Sequence, residues 1–532
     1  MPTDVRRVIK RFQQAEQVFE DWRSIHEDCY AYCLPQRNTF RNENSQQGEK
    51  RVDRMFDSIG QSSLMRFASR IHSELMPPFQ KWVELRAGPL VPEDMRNDIN
   101  AQLEDINQKL FAVLQSSNFD VACPEMLLDL GIGSGVMMVE KGPDHDNLVK
   151  FTTVPLANAM LEESPDGQVV GVYRKWKAIE IRFIELKWPD AVIPAALLKK
   201  AADEETAKTD LIEATYMDTK TQAWTYCVIY RESSAKANGE VLVDRPMSGN
   251  PWLTPRWMKA PGEVYGRGPA MIALPDIKTQ NKIVEFVLKN AALNIAGVYT
   301  GVDDGVLNPN TVAIVPGAVI PVRSNGGTRG PSLLPLRNPG EIQFAEVEME
   351  KLTMRIQQVL LDTRLPPEAG PVRSATEIVE RIRQLAGDQG SPFGRLMREF
   401  VTPMVKRVLM IMQESGLIKP VKVNGLTVTA QIISPLAQQQ NINEVQAVVQ
   451  GMQTLFAISP EIAMLSAKIE ELGPWILEKV GTPAKFIRTK TEREGLQKMA
   501  GAIAVQQAQA QQKPAGVQQD GGGSPVPLAK AA

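Results

Sequence analysis

The chain has 532 residues, enough for roughly two to four domains with cores of their own. A hydrophobic share of 43% and a charged share of 23% are those of an ordinary globular protein. The formal net charge of -2 excludes a molecule whose whole surface grips phosphates by counterion release, although it leaves room for local DNA contact.

Four scattered cysteines, Cys29, Cys33, Cys123 and Cys227, fit a reducing compartment better than a disulfide framework. The start, MPTDVRRVIKRF, has basic residues but no apolar stretch behind them, so no signal peptide is expected. No run of about 18 apolar residues predicts a membrane span.

In chain order, residues 4–33 predict an amphipathic helix, with Val5, Val8, Phe12, Phe19, Trp22 and Ile25 on one stripe. A polar loop follows at 36–51. Asp57 reads as the N-cap of a second helix with Leu64, Phe67, Ala68, Ile71 and Leu75 on its apolar face, ended by Pro77-Pro78. A third helix starts near Pro92 and carries Met95, Ile99, Leu103, Ile106, Leu110 and Leu114. From about 131 the pattern turns to strands, at 135–141, 149–154, 168–176, 212–217 and 223–231, with Asp166-Gly167 as a hairpin turn. Residues 177–208 predict helix in two pieces, the first with Ile179, Phe183 and Leu186 on one face and Pro189 at its end. Together these make an α+β domain.

Helix returns at 270–298, and a Gly-, Asn- and Pro-rich region with short Val/Ile runs covers 299–340. Helix resumes at 341–362, breaks at Pro366-Pro367 and Gly370-Pro371, and restarts near Ser374, with Glu377 at capping-box spacing. A hairpin over 420–433 turns at Asn424-Gly425, and helices dominate from there to about 500. The last stretch is rich in Gln, Gly, Pro and Ala and predicts a disordered tail.

Chemistry is sparse. His26, Cys29 and Cys33 share a helical face, but three ligands without a fourth read as core packing rather than a metal site. GIGSGV (131–136) has the wrong spacing and the wrong helix–strand order for a dinucleotide loop and reads as a helix C-cap, with Gly131 at positive φ. GEVYGRGPA (262–270) lacks the ending of a phosphate loop. Glu162-Glu163 and Glu204-Glu205 read as solvated faces. No cofactor and no catalytic seat is expected.

The stretch EIQFAEVEMEK (341–351) places Glu346 and Glu350, with Gln357 further on, along one helical face. Taken alone, this is an ordinary solvated stripe. Arg364, Arg373, Arg381 and Arg383 flank the Pro/Gly break, where they serve either solubility or passing contact with a phosphate backbone.

Four segments, in this order, resemble the portal (head-to-tail connector) proteins of short-tailed bacteriophages: DSIGQSSLMRFASRIHSELMPPFQKWVEL (57–85), SSNFDVACPEMLLDLGIGSGVMMVEKG (116–142), VYGRGPAMIALPDIKTQNKIVEFVLKNAALNIAGV (264–298) and VRSATEIVERI (372–382). The resemblance covers roughly 5–500 and implies a predominantly helical α+β portal fold that forms a ring, with no enzymatic activity. It implies a wing over 1–269, a first stem helix at 270–298, a clip at 299–340 and a second stem helix at 341–363. A tunnel loop at 364–374, a long helix and wing hairpin at 375–435, a crown at 436–500 and the tail at 501–532 complete it. The implied partners are eleven further copies in a dodecamer, duplex DNA in the channel, terminase, tail adaptor proteins, and capsid and scaffolding proteins, with no membrane. The implied location is the portal vertex of the virion, after assembly in the bacterial cytoplasm, and the implied task is DNA packaging and ejection. On this basis Glu346 and Glu350 are expected to face the channel, with Arg364 and Arg373 near it. Two other readings stay open: another virion part (an adaptor or internal core protein) and a nucleotide-binding enzyme using the glycine turns.

Overall fold

Asp4 starts the first helix, α1 (Val5–Cys33): its carboxylate accepts the Arg7 backbone N–H at 3.3 Å, satisfying a donor that every helix start leaves open. In this computed structural model the described residues are 3–37, 55–78, 80–143, 147–218, 221–231, 239–296, 299–301, 333–335, 342–362, 390–420, 426, 428–432, 435–459 and 469–480, with single residues and pairs elsewhere up to 499. Backbone contacts divide the chain into two compact units. One comprises Met1–Glu84, Ile106–Val423 and Ala430–Leu436; the other comprises Leu85–Asp105, Asn424–Thr429 and Ala437–Ala532.

Along α1 the residues Val8, Ile9, Phe12, Ala15, Phe19, His26, Cys29, Tyr30 and Cys33 are buried. The predicted stripe holds in outline, but Trp22 and Ile25 are only half-buried and His26 takes the interior place. Helix α2 (Ile59–Leu75) buries all five residues predicted for it and stops ahead of Pro77. Its cap position is Ser58. Asp57 stands one residue earlier, its carboxylate accepting the Ile59 N–H at 3.0 Å. Strand β1 (Val83–Ala87) is not announced by the residue pattern. Helix α3 (Glu93–Ser116) follows Pro92 and buries Leu103, Leu110 and Leu114, while Met95 is exposed. Helix α4 (Phe119–Ile132) comes next.

Two antiparallel sheets follow. Strand β2 (Met137–Lys141) lies between β3 (Val149–Thr153) and β9 (Trp252–Leu253). Asn118 closes the outer edge of β3: its side-chain amide donates to the Phe151 carbonyl at 2.7 Å and accepts the Phe151 N–H at 2.9 Å. The larger sheet has the order β4 (Ala159–Glu163), β5 (Val169–Glu180), β6 (Lys208–Met217), β7 (Trp224–Tyr230), β8 (Glu240–Met247). The β4–β5 turn is the predicted one, with Gly167 at φ 80°. Strands β4 and β8 escape the sequence reading because both carry charged residues inside short apolar runs.

Residues 177–208 depart from expectation. Strand β5 continues to Glu180, and Ile179 pairs with Thr209 of β6, so Ile179 belongs to the sheet. Helix α5 is only Arg182–Lys187. It buries Ile184 and exposes Phe183 and Leu186, so the predicted stripe is displaced. Pairing with β6 supplies a ready ladder of backbone partners, and that outweighs a local helical spacing of three residues. Trp188 is nevertheless anchored: its indole N–H donates to the Tyr226 hydroxyl at 2.6 Å, and that hydroxyl donates to the buried Glu213 carboxylate at 2.8 Å. Helix α6 (Ala195–Asp203) is the second piece.

Helix α7 (Pro269–Ala296) and helix α8 (Ile342–Val359) appear where predicted, although α8 ends three residues early. Between them β10 (Tyr299–Gly301) pairs antiparallel with β11 (Leu333–Pro335). From Gly390 to Glu414 the backbone is helical, as α9 (Gly390–Leu396), a π-turn at Met397–Val401, and α10 (Thr402–Glu414).

In the second unit the Ala87 N–H donates to the Asn100 side chain at 2.7 Å, and the Leu90 N–H to the Leu426 carbonyl at 3.2 Å. The second arm of the predicted hairpin is β12 (Val428–Ile432), which forms a two-stranded sheet with β1 rather than a described hairpin. Helices α11 (Pro435–Ile458) and α12 (Ile469–Lys479) follow, with Lys479 and Glu444 paired at 2.7 Å. The Ser374 capping box, the Asn424-Gly425 turn and the tail lie outside the described residues.

Candidate functional site: the paired helices α7 and α8

The buried seam of α8 is Leu352, Ile356 and Leu360, one residue per turn on a single face. It packs against α7, where Ile277 is buried, and the pair is pinned by the Gln280 side-chain amide donating to the Thr353 hydroxyl at 2.9 Å. Next along α7, Asn281 accepts the N–H groups of Phe56 and Asp57 at 2.7 and 3.1 Å, fixing the lead-in to α2. Lys278 reaches Asp28 of α1 at 2.6 Å.

Outside this seam the two helices present distinct strips. Glu346 and Glu350, four residues apart, are both exposed, as the spacing predicts; Gln357 on the same side is half-buried. Val347 and Met354, seven apart, are 52% and 59% exposed. On α7, Ile272, Phe286 and Leu288 are likewise more than half exposed. Lys282 and Lys289 both donate to Glu285, at 2.8 and 2.5 Å, holding its carboxyl below the usual range. Arg364 and Arg373 lie outside the described residues.

The end of α8 is built with care. The Leu361 N–H bonds the Gln358 carbonyl at 3.2 Å and the Asp362 N–H bonds the Gln357 carbonyl at 2.7 Å, the paired closure that usually ends in glycine. Here the left-handed position is Leu361, at φ 56°. Asp362, almost fully buried, accepts from Ser63 Oγ at 3.0 Å and from Arg66 at 2.8 Å, and Arg70 donates to the Leu361 carbonyl at 2.7 Å. Ser63, Arg66 and Arg70 form one face of α2. No local signal marks this set, because its two halves lie about three hundred residues apart in the chain.

The other sequence candidates have structural roles. His26 is stacked on Trp22 (ring centroids 5.7 Å apart) and meets Tyr265 edge-on at 5.5 Å. Burial pushes its imidazole down to about 3 and raises the thiols of Cys29 and Cys33. The glycine segments 131–136 and 262–270 pack on each other. Gly131 lies inside α4, and the helix ends at Gly133 with an extended φ of 169°, so no left-handed cap is used. A Cβ on Gly133 would strike the Gly266 carbonyl, and one on Gly268 the Ile132 carbonyl. The N–H groups of Gly133, Gly135, Gly266 and Gly268 go to Asp129, Pro255, Ser134 and Ile132, so none of the four is directed at a ligand. Glu162 and Glu163 are not a solvated pair. Glu162 binds Arg11 and the Tyr173 hydroxyl; Glu163 is tucked against Arg256 and Lys259. Glu205, by contrast, is solvated, with its side chain 89% exposed.

A family model described as "Bacteriophage head to tail connecting protein" matches residues 5–487. The chain belongs to this family. A curated relative of the connector, the "Probable portal protein" of Bordetella phage BPP-1, is 22% identical over 482 residues, covering 86% of this chain and 84% of that protein. Among solved structures, the connector is similar to a chain from the virion of a native gene transfer agent particle (12% identity, 74% of this chain and 84% of that one, TM-score 0.32). It is also similar to one from the neck of an empty gene transfer agent particle computed with C6 symmetry (12%, 74% and 86%, TM-score 0.33). Among the described residues of the connector, no group of three or more His, Cys, Asp and Glu is placed to hold a metal ion, and no helix is long and apolar enough to cross a membrane.

Proposed function

We propose that this connector is the portal subunit of a phage head: a non-enzymatic ring component through which duplex DNA is packaged and later ejected. The observation that carries the reading is the three-sided character of α8. One side, Leu352, Ile356 and Leu360, is buried within its own chain. A second side, Val347 and Met354, is apolar and uncovered, as are Ile272 and Phe286 on one side of α7; this suits a neighbouring copy in a ring. The third side, Glu346 and Glu350, is acidic and exposed, which suits a wall that repels phosphate so that DNA slides without being gripped.

In this reading Glu346 and Glu350 face the lumen, with Arg364 and Arg373 beside it giving transient phosphate contact. Residues 1–269 form most of the wing, α7 and α8 the stem, 299–340 the clip, 364–374 the tunnel loop and 436–500 the crown. The ring is a dodecamer at the portal vertex, assembled in the bacterial cytoplasm, docking terminase and then tail adaptor proteins, with capsid and scaffolding proteins around it. Energy for DNA movement comes from a partner. Electron microscopy of the purified full-length chain tests the proposal. An annulus with a central hole of duplex width is the expected result; a stable single-chain particle overturns it.

A further inference from the structure

Helix α8 stops against its own local preference. Leu360 and Leu361 are good helix formers, and the residue pattern predicts helix through 362, yet the helix closes at Val359. Closure places Leu361 at φ 56°, a conformation that costs an L-residue with a bulky side chain about 1–2 kcal/mol. Such strain persists only where the surroundings over-determine it. Here they do: Ser63 and Arg66 hold the Asp362 carboxylate, and Arg70 holds the Leu361 carbonyl. The helix-closing motif normally buries an apolar residue at the position of Asp362, so the carboxylate, held from α2, replaces the usual hydrophobic lock.

We propose that residues 360–362 are a two-state terminus of α8, held closed by a polar latch on α2 and able, once released, to continue the helix through Asp362. Extension relieves the Leu361 strain and lengthens α8 by about 4.5 Å at the ordinary helical rise. It also frees Arg66, whose side chain is already 41% exposed, and Ser63. The device sets the length of a helix whose role as a channel element rests on the portal reading; the two-state terminus itself does not. Loss of the latch and loss of strain act in opposite directions, which separates the device from a merely structural ion pair.

The test uses the full-length chain with nitroxide labels on cysteines introduced at Gln358 and Thr363. The four native cysteines are buried, so labelling is confined to the introduced pair. With the latch intact, dipolar broadening in continuous-wave electron resonance should give the short reference separation of a closed terminus. Asp362→Ala should shift the distribution toward the spacing of an unbroken helix, and Arg66→Ala should shift it the same way. Leu361→Gly, which removes the strain, should hold the short separation, and should largely restore it when combined with Asp362→Ala. An unchanged distribution in both latch variants overturns the proposal, as does a shift in Asp362→Ala that Leu361→Gly leaves untouched. Micrographs of the same samples report ring formation separately, so a missing annulus counts against the portal reading while the label distances still decide the latch.

Discussion

The Arg256 guanidinium and the Glu399 carboxylate meet side-on, with Nε to Oε2 at 3.1 Å and Nη2 to Oε1 at 2.8 Å, in a nearly dry site. Arg256 spends its other donors on Glu163 and on the carbonyls of Val264 and Gly167. All five N–H groups of the fork are thereby used, joining the β4–β5 turn, the 254–268 loop and the π-turn that carries Glu399. An arginine is required because an ammonium cannot reach this many acceptors in one plane.

Arg256→Ala should therefore cost about 3–5 kcal/mol, the usual result of stripping one partner from a buried charge network. Arg256→Lys should recover only part of this. Melting temperatures of the purified variants check it; a change of less than a degree for Arg256→Ala refutes the network's importance.

His26 makes stability fall in acid. Its folded value of about 3 lies below the unfolded 6.5, so the unfolded chain takes up a proton that the folded chain refuses. The stabilisation is complete above pH 6.5 and drains away as pH falls from there toward 3. Down to pH 4 the loss amounts to roughly 3 kcal/mol. His26→Phe, flanked by Trp22 and Tyr265, should flatten this part of the profile. Thermal unfolding at pH 7 and pH 4 compares the two slopes.

Gly133→Ala and Gly394→Ala should differ in sign. The first drives a methyl into the Gly266 carbonyl and should cost on the order of 3 kcal/mol or prevent folding. The second meets nothing within 4 Å on helix α9 and should gain up to about 1 kcal/mol. Soluble yield and melting temperature read both.

Val347→Asp with Met354→Asp should leave the chain folded, since both side chains already face outward, but should disperse any ring. Sedimentation velocity alongside far-ultraviolet circular dichroism distinguishes loss of assembly from loss of fold. Rings of unchanged size would remove these residues from the subunit contact.

Glu346→Lys with Glu350→Lys should turn a repelling wall into a gripping one. Duplex affinity should rise, then fall steeply between about 50 and 200 mM salt, as neutralised phosphates demand. Equal affinity of variant and parent rings at low salt would place these carboxylates away from the DNA.

The helices were legible where one face repeats at helical spacing over several turns, as in Leu64, Phe67, Ala68, Ile71 and Leu75 of α2, and not where only three residues carried the spacing, as at 179–186. The exposed acidic pair Glu346 and Glu350 was legible for the same reason, because an α-helix converts a spacing of four directly into a shared face. Strand β8 was not, since EVLVDRPM becomes a strand by pairing with β7 and not by its own pattern. Nor was the role of Glu163, which reads as a surface acid until Arg256, some ninety residues on, closes over it.

By itself the sequence determined most of the long helices, α7 and α8 among them, and the family, because these depend on local periodicity and on collinear motifs. Only the tertiary structure decided where α8 stops, why Gly133, Gly266 and Gly268 cannot carry side chains, and which buried charges are satisfied. Each of those depends on atoms brought together from distant parts of the chain, where backbone contact, desolvation and hydrogen-bond geometry outweigh what any short window of residues prefers.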